Sequence, residues 1–325
     1  SYPQAIALKP DFAEAHSNYG NTLRELGRLE EAVASYTEAI ALKPDYAEAH
    51  CNFGATLKEL GRLEEAEASC RYSIKLQPEL ALAHFTLAKV LYTAGSTDLS
   101  VGSIEKATEL DPKTQEYTLL LIIVKARKIR EDNRSATTKA NKSDSSTGLA
   151  SNPVILNRMV EPDLISTLYE MNYRELDETT DARYGNGRCS TGFNLLQDKH
   201  PVIQKLAIDL TNIMKKVVKS DIYIFDSFFN ILGAGGGSTP HQHLNALDKE
   251  LGLNLSEQKY SLVYYLSVGN QDCSEPGMLK LYNPDKYILP CEGMIIIIPA
   301  SRFHSAVYNG KTDRVMIGIN FYCLD

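Results

Sequence analysis

Along residues 10–111 apolar side chains recur three and four positions apart, in stretches of about a dozen residues punctuated by proline and glycine. That spacing lays one apolar stripe along a helix. The stretches are copies of one another: "PDFAEAHSNYGNTLRELGRLEEAVASYTEAIALK" at 10–43, "PDYAEAHCNFGATLKELGRLEEAEASCRYSIKLQ" at 44–77 and "PELALAHFTLAKVLYTAGSTDLSVGSIEKATELD" at 78–111. A fourth copy starts at Pro112. Each predicts two amphipathic helices, the first opened by a proline and joined to the second by a turn centred on Gly27, Gly61 or Gly95. The opening "SYPQAIALKP" matches "SYTEAIALKP" at 35–44, so the chain is expected to begin inside a repeat, with further copies upstream.

The pattern then changes twice. "YTLLLIIVKARKI" reads as a capping helix, after which residues 131–152 are rich in Ser, Thr, Lys and Asn and predict a linker. From 153 onward two helical patterns, "EPDLISTLYEMNY" and "HPVIQKLAIDLTNIMKKVVKS", precede strand-like runs: "DIYIFDSFFNIL", "KYSLVYYLSV", "GMLKLYN", "GMIIIIP" and "DRVMIGINFY". The expected architecture is a helical array over 1–130, a linker over 131–152, and a β barrel or sandwich backed by helices over 153–325.

The repeat resembles the tetratricopeptide repeat, with small residues at Gly20, Gly54, Ala88, Ala32 and Ala66 where helices approach closely. The resemblance implies an α-solenoid with a concave surface. Asn18, Asn52 and Thr86 occupy one repeat position. In the similar array of O-linked GlcNAc transferases such asparagines grip peptide backbones, which makes these three the candidate partner-binding residues. The alternative is a row of polar groups on a solvated helix face.

Composition narrows the function classes. No apolar run approaches the ~20 residues of a membrane-spanning helix, so no membrane partner is expected. The net charge of −7, with no basic face in view, argues against nucleic acid. Cys51, Cys70, Cys189, Cys273, Cys291 and Cys323 form no CxxC pair, which fits reduced thiols and a cytoplasmic setting.

Of seven histidines, His16, His50 and His84 lie 34 apart and belong to the repeat framework. His200 precedes Pro201 at a helix start, as a capping or surface group. His241 and His243 follow a glycine run in "GAGGGSTPHQH" and, on a strand, would share a face. His304 closes "GMIIIIPASRFH", just past a strand without a polar side, which would be buried on both faces. Three imidazoles on one side of an ion leave coordination positions open for chemistry; the alternative is unrelated loop histidines. Arg314 shares its strand face with Met316, Gly318, Asn320 and Tyr322, while Val315, Ile317, Ile319 and Phe321 line the other face. It either points inward and binds an anion or pairs with Asp313 at the surface.

Together "PHQH", "SLVYYLSV", "PGMLKLYNP", "GMIIIIPASRFH" and Arg314 resemble the iron- and 2-oxoglutarate-dependent oxygenases, in a prolyl-hydroxylase-like branch, over residues 153–325. The resemblance implies a double-stranded β-helix (jelly-roll) and a hydroxylase using Fe(II), 2-oxoglutarate and O2. It implies His241, His243 and His304 as metal ligands and Arg314 on the distal carboxylate of 2-oxoglutarate. Tyr265 and Asn230 are further candidates to touch that co-substrate. The implied substrate is a protein or peptide recruited by the repeats. The family usually carries Asp or Glu where this chain has His243, with Asp248 and Glu250 as fallback carboxylates. Two rival readings follow: a three-histidine enzyme without 2-oxoglutarate (a zinc hydrolase or a thiol-dioxygenase-like centre), or a binding scaffold with an inactive β domain.

Overall fold

The structure is a computed structural model that describes residues 2–136, 152–175, 180–181, 185–189 and 194–324. It divides near residue 140 into a helical unit and a strand-rich unit.

The helical unit contains α1 (Tyr2–Leu8), α2 (Ala13–Glu25), α3 (Leu29–Leu42), α4 (Ala47–Glu59), α5 (Leu63–Leu76), α6 (Ala81–Thr93), α7 (Thr97–Leu110) and α8 (Gln115–Ala136). The predicted pairs are present, with Gly27, Gly61 and Gly95 in their turns. Within a pair the helices meet over small residues: a Cβ added to Gly54 would lie 2.6 Å from Cys70 Sγ and 3.1 Å from the Ala66 carbonyl. The serines of the second helix donate across the pair, Ser35 Oγ to His16 O and Ser69 Oγ to His50 O, both at 2.8 Å. The repeat histidines tie each unit's start: Nε2 of His16, His50 and His84 lies 2.9–3.0 Å from the carbonyls of Pro10, Pro44 and Pro78. They are structural, as their spacing suggests. Gly54→Ala is expected to lower stability by about 1–3 kcal/mol through overpacking, read by urea unfolding of the helical signal; an unchanged midpoint would contradict this packing.

The linker expectation needs one correction. α8 runs to Ala136, so residues 131–136 continue a helix. Once the apolar stripe of "YTLLLIIV" has nucleated the helix, "RKIREDNRSA" supplies good helix formers and i,i+4 pairs such as Arg127–Glu131 and Lys128–Asp132. Residues 137–151 lie outside the described residues. No helix among the described residues is long and apolar enough to cross a membrane.

The strand-rich unit contains β1 (Val154–Asn157), α9 (Pro162–Glu175), β2 (Thr180–Asp181), β3 (Gly185–Cys189), α10 (Pro201–Val218), β4 (Ile222–His241), β5 (Lys259–Ser267), β6 (Leu279–Leu281), β7 (Lys286–Ile288), β8 (Met294–Pro299), β9 (His304–Tyr308) and β10 (Arg314–Cys323). Neighbours run β1-β8-β5-β10-β4-β9-β6-β7, all antiparallel, with β3 also beside β4. β4 belongs to two walls: Ile222–Leu232 pairs with β10, whereas Gly236–His241 pairs with β9. The result is an antiparallel half-barrel. Along β10, Val315, Ile317, Ile319 and Phe321 pack in one core with residues of α9 and α10, as period two predicts. Met316 joins Tyr265, Leu279, Ile296 and Ile298 in a second core on the inner side.

Candidate metal centre

Two of the three candidate histidines meet because β4 and β9 approach closely. Gly237 has φ +153°, and a Cβ there would stand 2.1 Å from the Ala306 carbonyl, so only glycine fits. This contact aligns β4 with β9 so that His241, the last residue of β4, is the register partner of His304, the first residue of β9. Their ring centroids are 4.4 Å apart.

His243 arrives differently from the strand alternation expected. β4 ends at His241, and His243 lies past it, its N–H donating to Ala300 O at 2.9 Å. Ala300 in turn donates to Lys259 O at 2.9 Å. The turn after β8 therefore carries both His304 and the anchor of His243. One nitrogen from each ring falls within 4.8 Å of the others, and His243 Nε2 is 3.2 Å from His304 Nε2. Two nitrogens bound to one ion at about 2.0–2.1 Å each sit roughly 3–3.4 Å apart. His241 Nδ1 lies 2.8 Å from Thr239 O, and His304 Nδ1 lies 3.1 Å from Arg302 O. An Nδ1–H donating to each carbonyl puts the ring's lone pair on Nε2, the usual outer support of a metal-binding imidazole.

Burial, helped by His241, pushes His304 down to about 4; burial, then His304 and His241, holds His243 well below its ordinary value. Both rings are neutral at pH 7 and need shed no proton to bind an ion. Without metal, the unfolded chain binds a proton at His304 below about 6.5 while the folded chain stays neutral down to about 4. Stability of the metal-free protein is therefore expected to rise with pH across that window, and to fall by roughly 3 kcal/mol from pH 7 to pH 4 on this residue's account. Urea midpoints against pH check it; with divalent metal added, the midpoints should be higher throughout and the decline, which still begins where the unfolded chain takes up protons, should continue below about pH 4.

The ligand group among the described residues is three imidazoles without a carboxylate. Neither fallback acid belongs to it. Asp248 is committed elsewhere: it accepts from Lys259 Nζ at 2.8 Å, Tyr322 OH at 2.6 Å and the Asn245 N–H at 2.8 Å. A cavity of about 70 Å³ adjoins the cluster, lined by apolar side chains together with Asn230, Ser261, Tyr265 and Asn320. Asn230 and Tyr265 both pair with Met316 from opposite sides of β10, so the two candidates lie in one row. Asn230 is 8% exposed, and its buried Oδ1 has no partner among the described residues. Burial pushes the Tyr265 hydroxyl up to about 12, keeping it a neutral donor.

Arg314 is 1% exposed and points inward, which overturns the surface pairing with Asp313; Asp313 instead accepts from Tyr169 OH. Its partners, however, are carbonyls rather than a carboxylate: Gly277 O and Pro276 O at 2.6 Å, and Val268 O at 3.3 Å from both Nε and Nη2. The guanidinium lies over the Tyr308 ring at 4.6 Å and is not among the residues lining the cavity.

In the helical unit Asn18 is exposed and Asn52 half-buried, but Thr86 is 2% exposed, with its hydroxyl 3.6 Å from Cys51 Sγ. A side chain so enclosed offers nothing to a partner, so Thr86 leaves the row. His200 is exposed at the N-cap of α10 and makes no capping bond through its side chain.

Family profiles of the tetratricopeptide repeat match residues 2–34, 20–61 and 47–80. Residues 2–80 are tetratricopeptide repeats. Solved structures similar to the chain include MamA (20% identity, 42% of this chain and 80% of that one, TM-score 0.38). They also include YrrB, a TPR protein with an unusual peptide-binding site (21% identity, 42% and 70%, TM-score 0.37). A third is the TPR2B domain of yeast Sti1 in complex with pHsp70 (22% identity, 35% and 97%, TM-score 0.34). No curated protein matches the chain. Tetratricopeptide repeats stack so that neighbours bury each other's apolar faces, which is the packing α2–α7 display.

Proposed function

We propose that the chain is an Fe(II)- and 2-oxoglutarate-dependent oxygenase that hydroxylates a protein or peptide, with the repeats as its recruiting surface. The observation that carries the reading is the convergence of three imidazole nitrogens beside a cavity in an antiparallel half-barrel. Two further features support it. In a double-stranded β-helix one strand crosses from wall to wall, as β4 does, and the walls are closed by alternating later strands. The donor set also suits a divalent ion: His241 and His304 are supported by carbonyls at Nδ1, and His243 and His304, both held neutral at pH 7 by burial, place their Nε2 atoms at ion-sharing distance.

His241, His243 and His304 would hold the metal and, grouped on one side, leave its other positions open. When bound, iron supplies the activation of O2 coupled to oxidation of 2-oxoglutarate to succinate and CO2, with one oxygen atom passed to a C–H bond. The chain's part is orientation and exclusion of water. The Asn230 amide and the Tyr265 hydroxyl offer neutral hydrogen bonds on the cavity wall. Four of the five N–H groups of Arg314 are held by carbonyls, so its role toward the distal carboxylate is a fixed positive charge with one N–H to give. On the repeats, Asn18 and Asn52 are the candidate peptide contacts.

One observation favours a second reading. A three-histidine set without a carboxylate, with the Arg314 fork seated on Val268 O, is also what a metal enzyme without 2-oxoglutarate would show. Succinate formation from 2-oxoglutarate with Fe(II), O2 and peptide decides between them. The oxygenase reading expects succinate from the parent and none from His304→Ala. A parent that binds metal but neither binds nor consumes 2-oxoglutarate selects the second reading.

A further inference from the structure

His241 and His304 are placed by strand register, but His243 is not. It sits in the segment between β4 and β5, beyond the last paired residue of β4. Upstream of its ring the backbone is held by one bond, His243 N–H to Ala300 O. Downstream, two residues on, Asn245 is gripped from both sides: its N–H donates to Asp248 Oδ2 at 2.8 Å, and its Oδ1 accepts from the Asp248 N–H at 2.9 Å.

Asp248 is in turn fixed to the barrel wall. Lys259, the first residue of β5, donates to Oδ2 at 2.8 Å; Tyr322, on the inner face of β10, donates to Oδ1 at 2.6 Å. Both members of the ion pair are enclosed, with side-chain exposures of 2% for Lys259 and 0% for Asp248. The ammonium also lies over the Phe225 and Tyr322 rings at 4.8 and 5.2 Å. A charge pair so enclosed costs desolvation and is weak support for stability as such. Its geometric effect is specific: it joins the segment carrying His243 to the same two strands, β5 and β10, that wall the cavity.

We infer that Asp248 is the positioning residue for His243, working through Asn245 on one side and the Lys259–Tyr322 pair on the other. This rests on the metal reading above and extends it: the third ligand is supplied by a pinned segment instead of by the barrel's strands.

The test uses the full chain, Co²⁺ alone as probe, and two variants. Asp248→Asn keeps the shape and removes the charge. Asp248→Asn with Lys259→Met also removes the ammonium that would otherwise be left unpaired, so that at least one variant folds. Both are expected to bind Co²⁺ roughly 10–100-fold more weakly than the parent, as losses of outer support do, with the visible spectrum of a His243→Ala protein. Independently of metal, amide exchange at His243 should accelerate about tenfold or more, while Ile317 in the middle of β10 keeps its protection. A folded variant with parental Co²⁺ affinity, spectrum and His243 protection overturns the inference. If the parent and His304→Ala alike bind no Co²⁺, the metal reading falls instead, and the exchange result alone decides whether Asp248 pins His243.

Discussion

His304→Ala is expected to abolish tight divalent-metal binding while the strand-rich unit stays folded. The ring is 5% exposed, is the register partner of His241, and lies 3.2 Å nitrogen to nitrogen from His243. Removing it leaves two donors, His241 and His243, both on one stretch of chain and with nothing opposite them from β9. Affinity should drop by more than the roughly 10–100-fold that follows loss of an outer-shell partner. The fold should tolerate the change because the ring borders a cavity whose largely apolar wall also carries Asn230, Ser261, Tyr265 and Asn320, which give a replacing water its partners. Co²⁺ absorption and calorimetry measure the affinity, and tyrosine near-ultraviolet dichroism reports the fold, the chain having 18 tyrosines and no tryptophan. Retained affinity in a folded His304→Ala protein would show that the imidazoles are neighbours without a shared ion.

Arg314→Met is expected to destabilise the strand-rich unit by about 3 kcal/mol or more. The guanidinium serves the carbonyls of Val268, Pro276 and Gly277 from a position that is 1% exposed. A hydrogen bond to a charged group contributes about 1.5–3 kcal/mol, and a buried acceptor left alone costs about 1–3 kcal/mol. Methionine restores bulk against Tyr308 but no donor. Arg314→Lys should recover little, since one ammonium cannot reproduce the planar fork. Urea unfolding of the strand-rich unit measures the loss; a parental midpoint would mean that the carbonyls find other donors. The same arithmetic bears on 2-oxoglutarate binding. A weaker response in an Arg314 variant reports a loosened 268–277 segment as well as a lost charge, so binding is to be compared only among folded variants.

The repeat was legible because each tetratricopeptide unit declares itself locally: proline, apolar stripe, glycine turn and stripe again, with every contact inside or beside the copy. The histidine cluster was legible for a different reason, since a strand leading into HxH and an apolar strand followed within five residues by His304 leave few ways to place their ends. The route of His243 was not, because its aim comes from Ala300, more than fifty positions along the chain, and not from strand alternation. β1, β7 and β9 were missed: they are three to five residues long and are strands only through their neighbours. Asp248 was read as a spare ligand because charge alone does not reveal a partner. Lys259 carried a usable signal, lying in phase with Ser261, Val263 and Tyr265 on the inner face of β5, where a lysine needs a buried anion. Thr86 and the carbonyl partners of Arg314 depend on tertiary packing alone.

The most direct measurement is a crystal structure of the protein grown without oxygen in the presence of Mn²⁺ and N-oxalylglycine. The oxygenase account predicts one ion bound by Nε2 of His241, His243 and His304 at coordination distance, with the inhibitor on the open side of that ion against Asn230 and Tyr265. An ion held by fewer than three of these rings, or the inhibitor absent from an occupied metal site, would contradict it.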